Sequence, residues 1–276
     1  MSDDGVGSAE SVGFATERDG GVLILTFNRP AQGNSLKSEA VPLLTALFQS
    51  LPADPDVRAL LIRGEGRMFS GGGDVRGFME TLKQSPEARR ADYGARLGRV
   101  TTAIEAFIAL DLPIVTACQG AVAGAGMTYA LGADLVLADE TVNFAFVHQR
   151  IGLPPDGGIS VLLPRAVGER KAAELILTAG TVQADEALRL GLVSRLVPAA
   201  ELQEEALKAA HRFALAPRDV IRRAKRLMAG SLLRPAAEQL EAERQAIIAS
   251  VGEPDFEEGV TAFIEKRKAV FPSSLR

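Results

Sequence analysis

PIVTACQGAVAGAGMTYALGAD, Pro113 to Asp134, is the stretch on which the reading of this chain turns. It opens as a short apolar, β-branched run, the pattern of a strand buried on both faces. It then passes through Gly120, Gly124 and Gly126 into small residues that read as the start of a helix. The same pattern occurs upstream, where VRALLIRG (Val57 to Gly64) is followed by FSGGGDVRGF (Phe69 to Phe78). Glycine at such a turn lets a ligand approach the backbone closely. A helix that starts there presents free N–H groups and the positive end of its dipole. Two turns of this kind can aim N–H groups at one oxygen, which is what an enolate or tetrahedral oxyanion requires. Tight helix–strand packing explains any one of these glycines equally well; two such loops after two buried strands point to a site. No Lys-Ser/Thr follows either turn, so a phosphate loop is excluded. The glycine spacings also miss the dinucleotide fingerprint.

Outward from these loops, GFATERDGGVLILTFNRP (Gly13 to Pro30) reads as a hairpin turning at Asp19-Gly20-Gly21. Leu36 to Leu51 has helical spacing, with Pro42 tolerated in its first turns. Glu87 to Leu110 reads as a second helix, and DLVLADE and VNFAF as strands. After GLPPDGGISVLLPRAVG the pattern becomes helical and is expected to stay so, with Thr181 and Asp185 as helix-start residues. The expected organisation is a loose tail over residues 1–12, a β/α core over 13–198, and a helical region over 199–276.

Of the 276 residues nearly half are apolar, which is ample for one large core, and there is no Trp. The net charge of −4 comes from mixed acids and bases, unlike the basic stripe of a nucleic-acid binder. The single cysteine, Cys118, excludes an internal disulfide. The acidic, polar start lacks signal-peptide character, and no apolar run reaches the ~20 residues of a membrane span. A soluble, cytoplasmic protein is expected.

Few side chains are candidates for chemistry. Asp156, in GLPPDGG, reads either as a cap for the following helix or as a catalytic carboxylate. His148 reads either as a hydrogen-bonded buried imidazole or as a partner in catalysis. No second His or Cys stands at ligand spacing, so no metal is expected. There is no G-x-S-x-G, which argues against a serine hydrolase. Lys266, Arg267 and Lys268 in FIEKRKAVF are a solvated helix end or a phosphate contact.

Taken in order, NRPAQGNSL (Asn28 to Leu36), FSGGGDV, Pro113 to Asp139, Ile151 to Gly168 and DFEEGVTAFIEKRKAVF (Asp255 to Phe271) resemble the crotonase (enoyl-CoA hydratase/isomerase) superfamily. The resemblance implies an α/β, ClpP/crotonase-like spiral of ββα turns with a helical C-terminal trimerisation region. It implies a homotrimer or dimer of trimers, and an acyl-CoA thioester substrate whose coenzyme A is the substrate's own, with no further cofactor. The oxyanion donors would be the N–H groups of Gly73 and Ala125. Ser70, Gly71, Asp74 and Gly124 of the loops would bind the CoA, and Arg29 and Leu36 would border it. Phe263 and Lys266 would reach it from a neighbouring subunit. The two glutamates that hydratases of this family resemble one another in having fall at Thr128 and His148, so this chain lacks the pair. Restoring them is expected to raise hydration. The carboxylate at Asp156 resembles that of the isomerase branches, the ring-epoxide phenylacetyl-CoA isomerases most closely. The resemblance thus implies an acyl-CoA isomerase with Asp156 as base, and His148 is the further catalytic candidate. The alternatives are an enoyl-CoA hydratase with an unusual base and a non-catalytic CoA-binding oligomer.

Overall fold

The computed structural model describes residues 12–73 and 79–275. Residues 1–11 of the expected tail, and Asp74 to Phe78 of the first glycine loop, lie outside the described residues. The hairpin forms as read: β1 (Phe14–Asp19) pairs antiparallel with β2 (Val22–Phe27), turning at Gly20 with positive φ. From β2 onward the main sheet is parallel, in the order β1-β2-β3-β4-β6-β9, with β3 Ala59–Gly64, β4 Ile114–Cys118, β6 Leu135–Ala138 and β9 Arg195–Leu196. A second sheet, β5-β7-β8, holds β5 Ala121–Ala123, β7 Asn143–Ala145 and β8 Thr181–Gln183.

The two-residue period of a strand divides the apolar residues between two cores. Leu23, Leu25, Phe27, Leu60 and Ile62 face the larger one, between the sheets. Val22, Ile24, Ala59, Leu61, Val115 and Ala117 face the other. There α7 (Leu202–Ala214) covers the sheet with Leu202, Ala206, Ala209 and Ala210, small residues that let the helix lie close. The larger core is closed by α1 (Ala40–Ser50) and α2 (Pro86–Ile108), where Phe48 and Phe107 meet Tyr129. The remaining helices are α3 (Ala125–Leu131), α4 (Ile159–Val167), α5 (Glu169–Leu177), α6 (Ala184–Leu190), α8 (Arg218–Ser231), α9 (Ala236–Val251) and α10 (Pro254–Glu265).

Three expectations are corrected. The region after Gly168 is not helical throughout, because β8 and β9 interrupt it. Thr181 sits in β8, paired with Ala145, and does not start a helix; Asp185 does lie in the first turn of α6. The first helix begins at Ala40 instead of Leu36 because Leu36 forms a parallel bridge with Gly73 and donates its N–H to Gly72 O at 3.2 Å. Among the described residues no helix is long and apolar enough to cross a membrane.

Candidate active site

The first glycine loop is fastened by residues that precede it by some thirty positions. Asn34 is buried in the left-handed conformation, which a short amide side chain tolerates. Its Nδ2 donates to Glu65 O at 2.9 Å and Met68 O at 2.7 Å, and its Oδ1 accepts from Arg29 N at 3.0 Å. Ser70 Oγ donates to Asn34 O at 3.0 Å and accepts from Gly72 N at 3.2 Å. The Ser70 main chain donates to Ala121 O and accepts from Ala123 N, which stitches this loop to β5. Gly71 N donates to Gly33 O at 2.7 Å. Ser70 and Gly71 therefore build the loop, with the Ser70 hydroxyl turned inward and buried.

The second loop meets the first with backbone against backbone. Gly124 has φ 48° and ψ −129°, a region that only glycine enters readily. A Cβ on Gly72 would lie 2.8 Å from Gly124 Cα and 3.0 Å from Ala125 N. A Cβ on Gly124 would lie 3.6 Å from Gly73 N. The N–H groups of Gly73 and Ala125 are thus brought to one place by the absence of side chains between them. Ala125 is the first residue of α3, where the helix leaves its N–H without an internal acceptor. Its φ is not positive, so alanine is accommodated there. Among the described residues neither N–H has an acceptor.

The carboxylate arrives from a third segment. After β7 the chain makes a short 3-10 turn, His148–Ile151, runs through Leu153-Pro154-Pro155, and reaches Asp156 just before Gly157 and Gly158, both at positive φ. The Asp156 side chain is 55% exposed and the His148 side chain 13%, with His148 Nε2 lying 3.6 Å from Asp156 Oδ1. That Nε2 is buried and has no hydrogen-bond partner among the described residues, so the reading of His148 as a satisfied buried imidazole is corrected. The capping reading of Asp156 is corrected too. Gly158 caps α4 without any side-chain bond, and Asp156 contributes only its backbone oxygen, which accepts from Ile159 N at 3.1 Å. The carboxylate faces His148 and takes no part in capping the helix. Thr128, on α3, donates its hydroxyl to Gly157 O at 2.7 Å and so joins this turn to the helix that Ala125 starts.

A cavity of about 170 Å³ lies beside His148, lined by Phe146, Leu153, Pro154, Pro155 and Ile176. A larger one, about 510 Å³, opens between Thr16, Thr26, Arg63, Gln119 and Gln203, and none of Gly73, Ala125, His148 and Asp156 lines it. Burial pushes the Cys118 thiol up to about 12, so it is no nucleophile at neutral pH.

What such a pair of loops belongs to is decided by comparison with known proteins. Residues 17–274 match the family model described as Enoyl-CoA hydratase/isomerase. The chain belongs to the enoyl-CoA hydratase/isomerase family. It is 34% identical over 255 residues to "Probable enoyl-CoA hydratase" of Mycobacterium tuberculosis (strain CDC 1551 / Oshkosh), across 92% of this chain and 96% of that one. It is 31% identical over 252 residues to the 1,2-epoxyphenylacetyl-CoA isomerase of Escherichia coli (strain K12), across 91% and 95%. The crystal structure of an enoyl-CoA hydratase from Polaromonas sp. JS666 superposes with a TM-score of 0.85 at 27% identity, over 93% of this chain and 98% of that one. The α/β architecture is the crotonase fold, and the chain is an enzyme of acyl-CoA hydration or isomerisation.

Within this hydratase/isomerase the two positions read as hydratase glutamates carry no carboxylate. Thr128 is only 1% exposed and packed against Gly157, where an added Cβ would come within 2.5 Å of its hydroxyl. A glutamate at 128 would therefore displace the Asp156 turn. The expectation that restoring both glutamates raises hydration is one for an otherwise intact pocket, and this contact bears on that condition at position 128. Of the residues assigned to the CoA border, Arg29 folds over its own loop and donates from Nη1 to Ser35 O at 2.8 Å. Leu36 packs partly against the larger core beside Gly73. Asp74 lies outside the described residues. Phe263, 85% exposed, and Lys266, at the left-handed end of α10, stand on a helix packed on α9. Arg267 is held by Glu258 at 2.7 Å and by Glu265, so the helix end is an ion-paired turn and Arg267 is not free for phosphate. Asn34 and Thr128 are the site-building residues that sequence reading left without a role. The only local signal was an Asn following Gly33 in a turn-like run.

Proposed function

We propose that this hydratase/isomerase is an acyl-CoA isomerase that moves a double bond with one carboxylate. The observation that carries the reading is Asp156, an exposed carboxylate beside His148 Nε2 on a turn joined to the oxyanion helix, while Thr128 fills a position read as a hydratase glutamate. The thioester oxygen of a β,γ-unsaturated acyl-CoA accepts from the Gly73 and Ala125 N–H groups. Asp156 takes a proton from Cα, and the electron pair runs into the dienolate oxygen. The protonated carboxyl then returns the proton to Cγ, leaving the double bond between Cα and Cβ. Each oxyanion donor is worth roughly 3 kcal/mol of barrier. A single group that accepts and returns one proton suffices, and the step calls for no metal or redox cofactor. Ile104 and Ile108 of α2 flank the Gly157-Gly158 pair and offer apolar surface for an acyl chain. The similarity to a 1,2-epoxyphenylacetyl-CoA isomerase supports a rearranged ring epoxide as a second substrate type.

The same proposal takes the enzyme as a cytoplasmic homotrimer or dimer of trimers. Its support is the row of exposed Leu232, Leu233, Leu240, Ile247, Ile248 and Phe263 on or beside α8 to α10, apolar area that a single chain leaves in water. A second reading, hydration of 2-enoyl-CoA, is favoured by the hydratase names of relatives. The expected result separates them. Isomerisation of a β,γ-enoyl-CoA runs at least tenfold faster than hydration of crotonyl-CoA, followed by the thioester absorbance with products identified by NMR. Hydration as fast as isomerisation would make the enzyme a hydratase.

A further inference from the structure

We propose that Thr128 is a positioning residue that fixes the Asp156 carboxylate relative to the oxyanion donor Ala125; this rests on the assignment of Asp156 as base. Thr128 stands three residues after Ala125 on the same helix, so whatever it holds is held in register with that N–H. A threonine inside a helix ordinarily returns its hydroxyl to the carbonyl four residues back. Here that carbonyl, Gly124 O, takes the Met127 N–H at 3.0 Å, and the Thr128 hydroxyl crosses to Gly157 O at 2.7 Å. Among the described residues this is the one hydrogen bond between α3 and the segment from Gly152 to Gly158.

The rest of the turn's surroundings do not set a position. Gly157 and Gly158, at φ 65° and 80°, have no side chains with which to key the turn into its neighbours. Ile104 and Ile108 meet them with apolar ends, a contact without direction. Leu153 N donates to His148 O at 3.2 Å, which joins the turn to His148 but not to the oxyanion loops. Asp156 O accepts from Ile159 N at 3.1 Å, which ties the turn to α4; the one directional bond among the described residues that ties it to the oxyanion helix is that of the Thr128 hydroxyl. Proton transfer is sensitive to small displacements of the base, whereas binding of the thioester is not. Loss of the hydroxyl is accordingly expected in kcat and not in KM.

The test uses the full chain with Thr128→Val, which keeps the shape and removes the donor, and Thr128→Ser, which keeps the donor. Thr128→Val is expected to lower kcat for β,γ-enoyl-CoA isomerisation about thirtyfold with KM within twofold. Thr128→Ser is expected within threefold of the parent. In an Asp156→Asn background Thr128→Val should remove nothing further, since the group it positions is gone. The chain has two histidines, so the His148 ring resonances can be assigned by a single substitution. Thr128→Val should move them and Thr128→Ser should not. Equal losses in Thr128→Val and Thr128→Ser, or the same loss in both backgrounds, would overturn the proposal. An active Asp156→Asn enzyme would remove the base assignment and leave positioning to the ring resonances: unmoved in Thr128→Val, they overturn it; moved, they support it.

Discussion

Asp156→Asn is expected to lower kcat for isomerisation by about a thousandfold, within the range that a general base supplies. The amide keeps the volume and the backbone turn but cannot take the proton. The affinity for the CoA thioester should stay within a few-fold, because the group acts on Cα and not on the CoA. His148, 3.6 Å away, is the other proton acceptor at hand, so the residual rate measures what it can do alone. Stopped-flow binding of a substrate analogue alongside steady-state kinetics separates the two effects. A variant that retains more than about a tenth of the parent kcat, a change under ~1.4 kcal/mol, would show that another group carries the proton.

Gly72→Ala is expected to cut kcat roughly a hundredfold by forcing the two oxyanion loops apart. At φ 97° a side chain is strained, and its Cβ would lie 2.8 Å from Gly124 Cα and 2.9 Å from Ala123 O. Both are backbone atoms with no flexible end to yield, so the Ala125 N–H must turn or retreat. Gly124→Ala approaches the same contact from the other side, 3.1 Å from Gly72 Cα, and should reproduce the loss. Gly94→Ala is the control. It lies within α2, meets nothing within 4 Å, and should gain about 0.5–1 kcal/mol of stability with activity intact. Circular dichroism and thermal melting report whether the loop variants are folded. A folded Gly72→Ala protein with full activity would mean that the thioester oxygen is not held between these loops.

The elements that position the site could be read in the sequence because local period records which face of an element is buried. Leu23, Leu25 and Phe27 alternate with Val22 and Ile24 as a strand between two cores must. The two glycine-rich turns read as places where a ligand approaches the backbone; that Gly72 and Gly124 meet each other is a finding of the structure. The α/β class, the loops and the helical C-terminal region followed from such patterns, and the family from their order. The short strands β8 and β9 were missed because three and two residues are too few to show a period, and β8 shows its burial only at Val182. What only the tertiary structure decided is which polar groups meet. Thr128 and Gly157 are 29 residues apart, and Asn34 reaches Met68 across 34. The Asp156 carboxylate faces His148 and is not a cap, because Gly158 takes the helix start. A hydrogen bond needs a partner at one distance and angle, and chain closure across tens of residues leaves no trace in the pattern around either end.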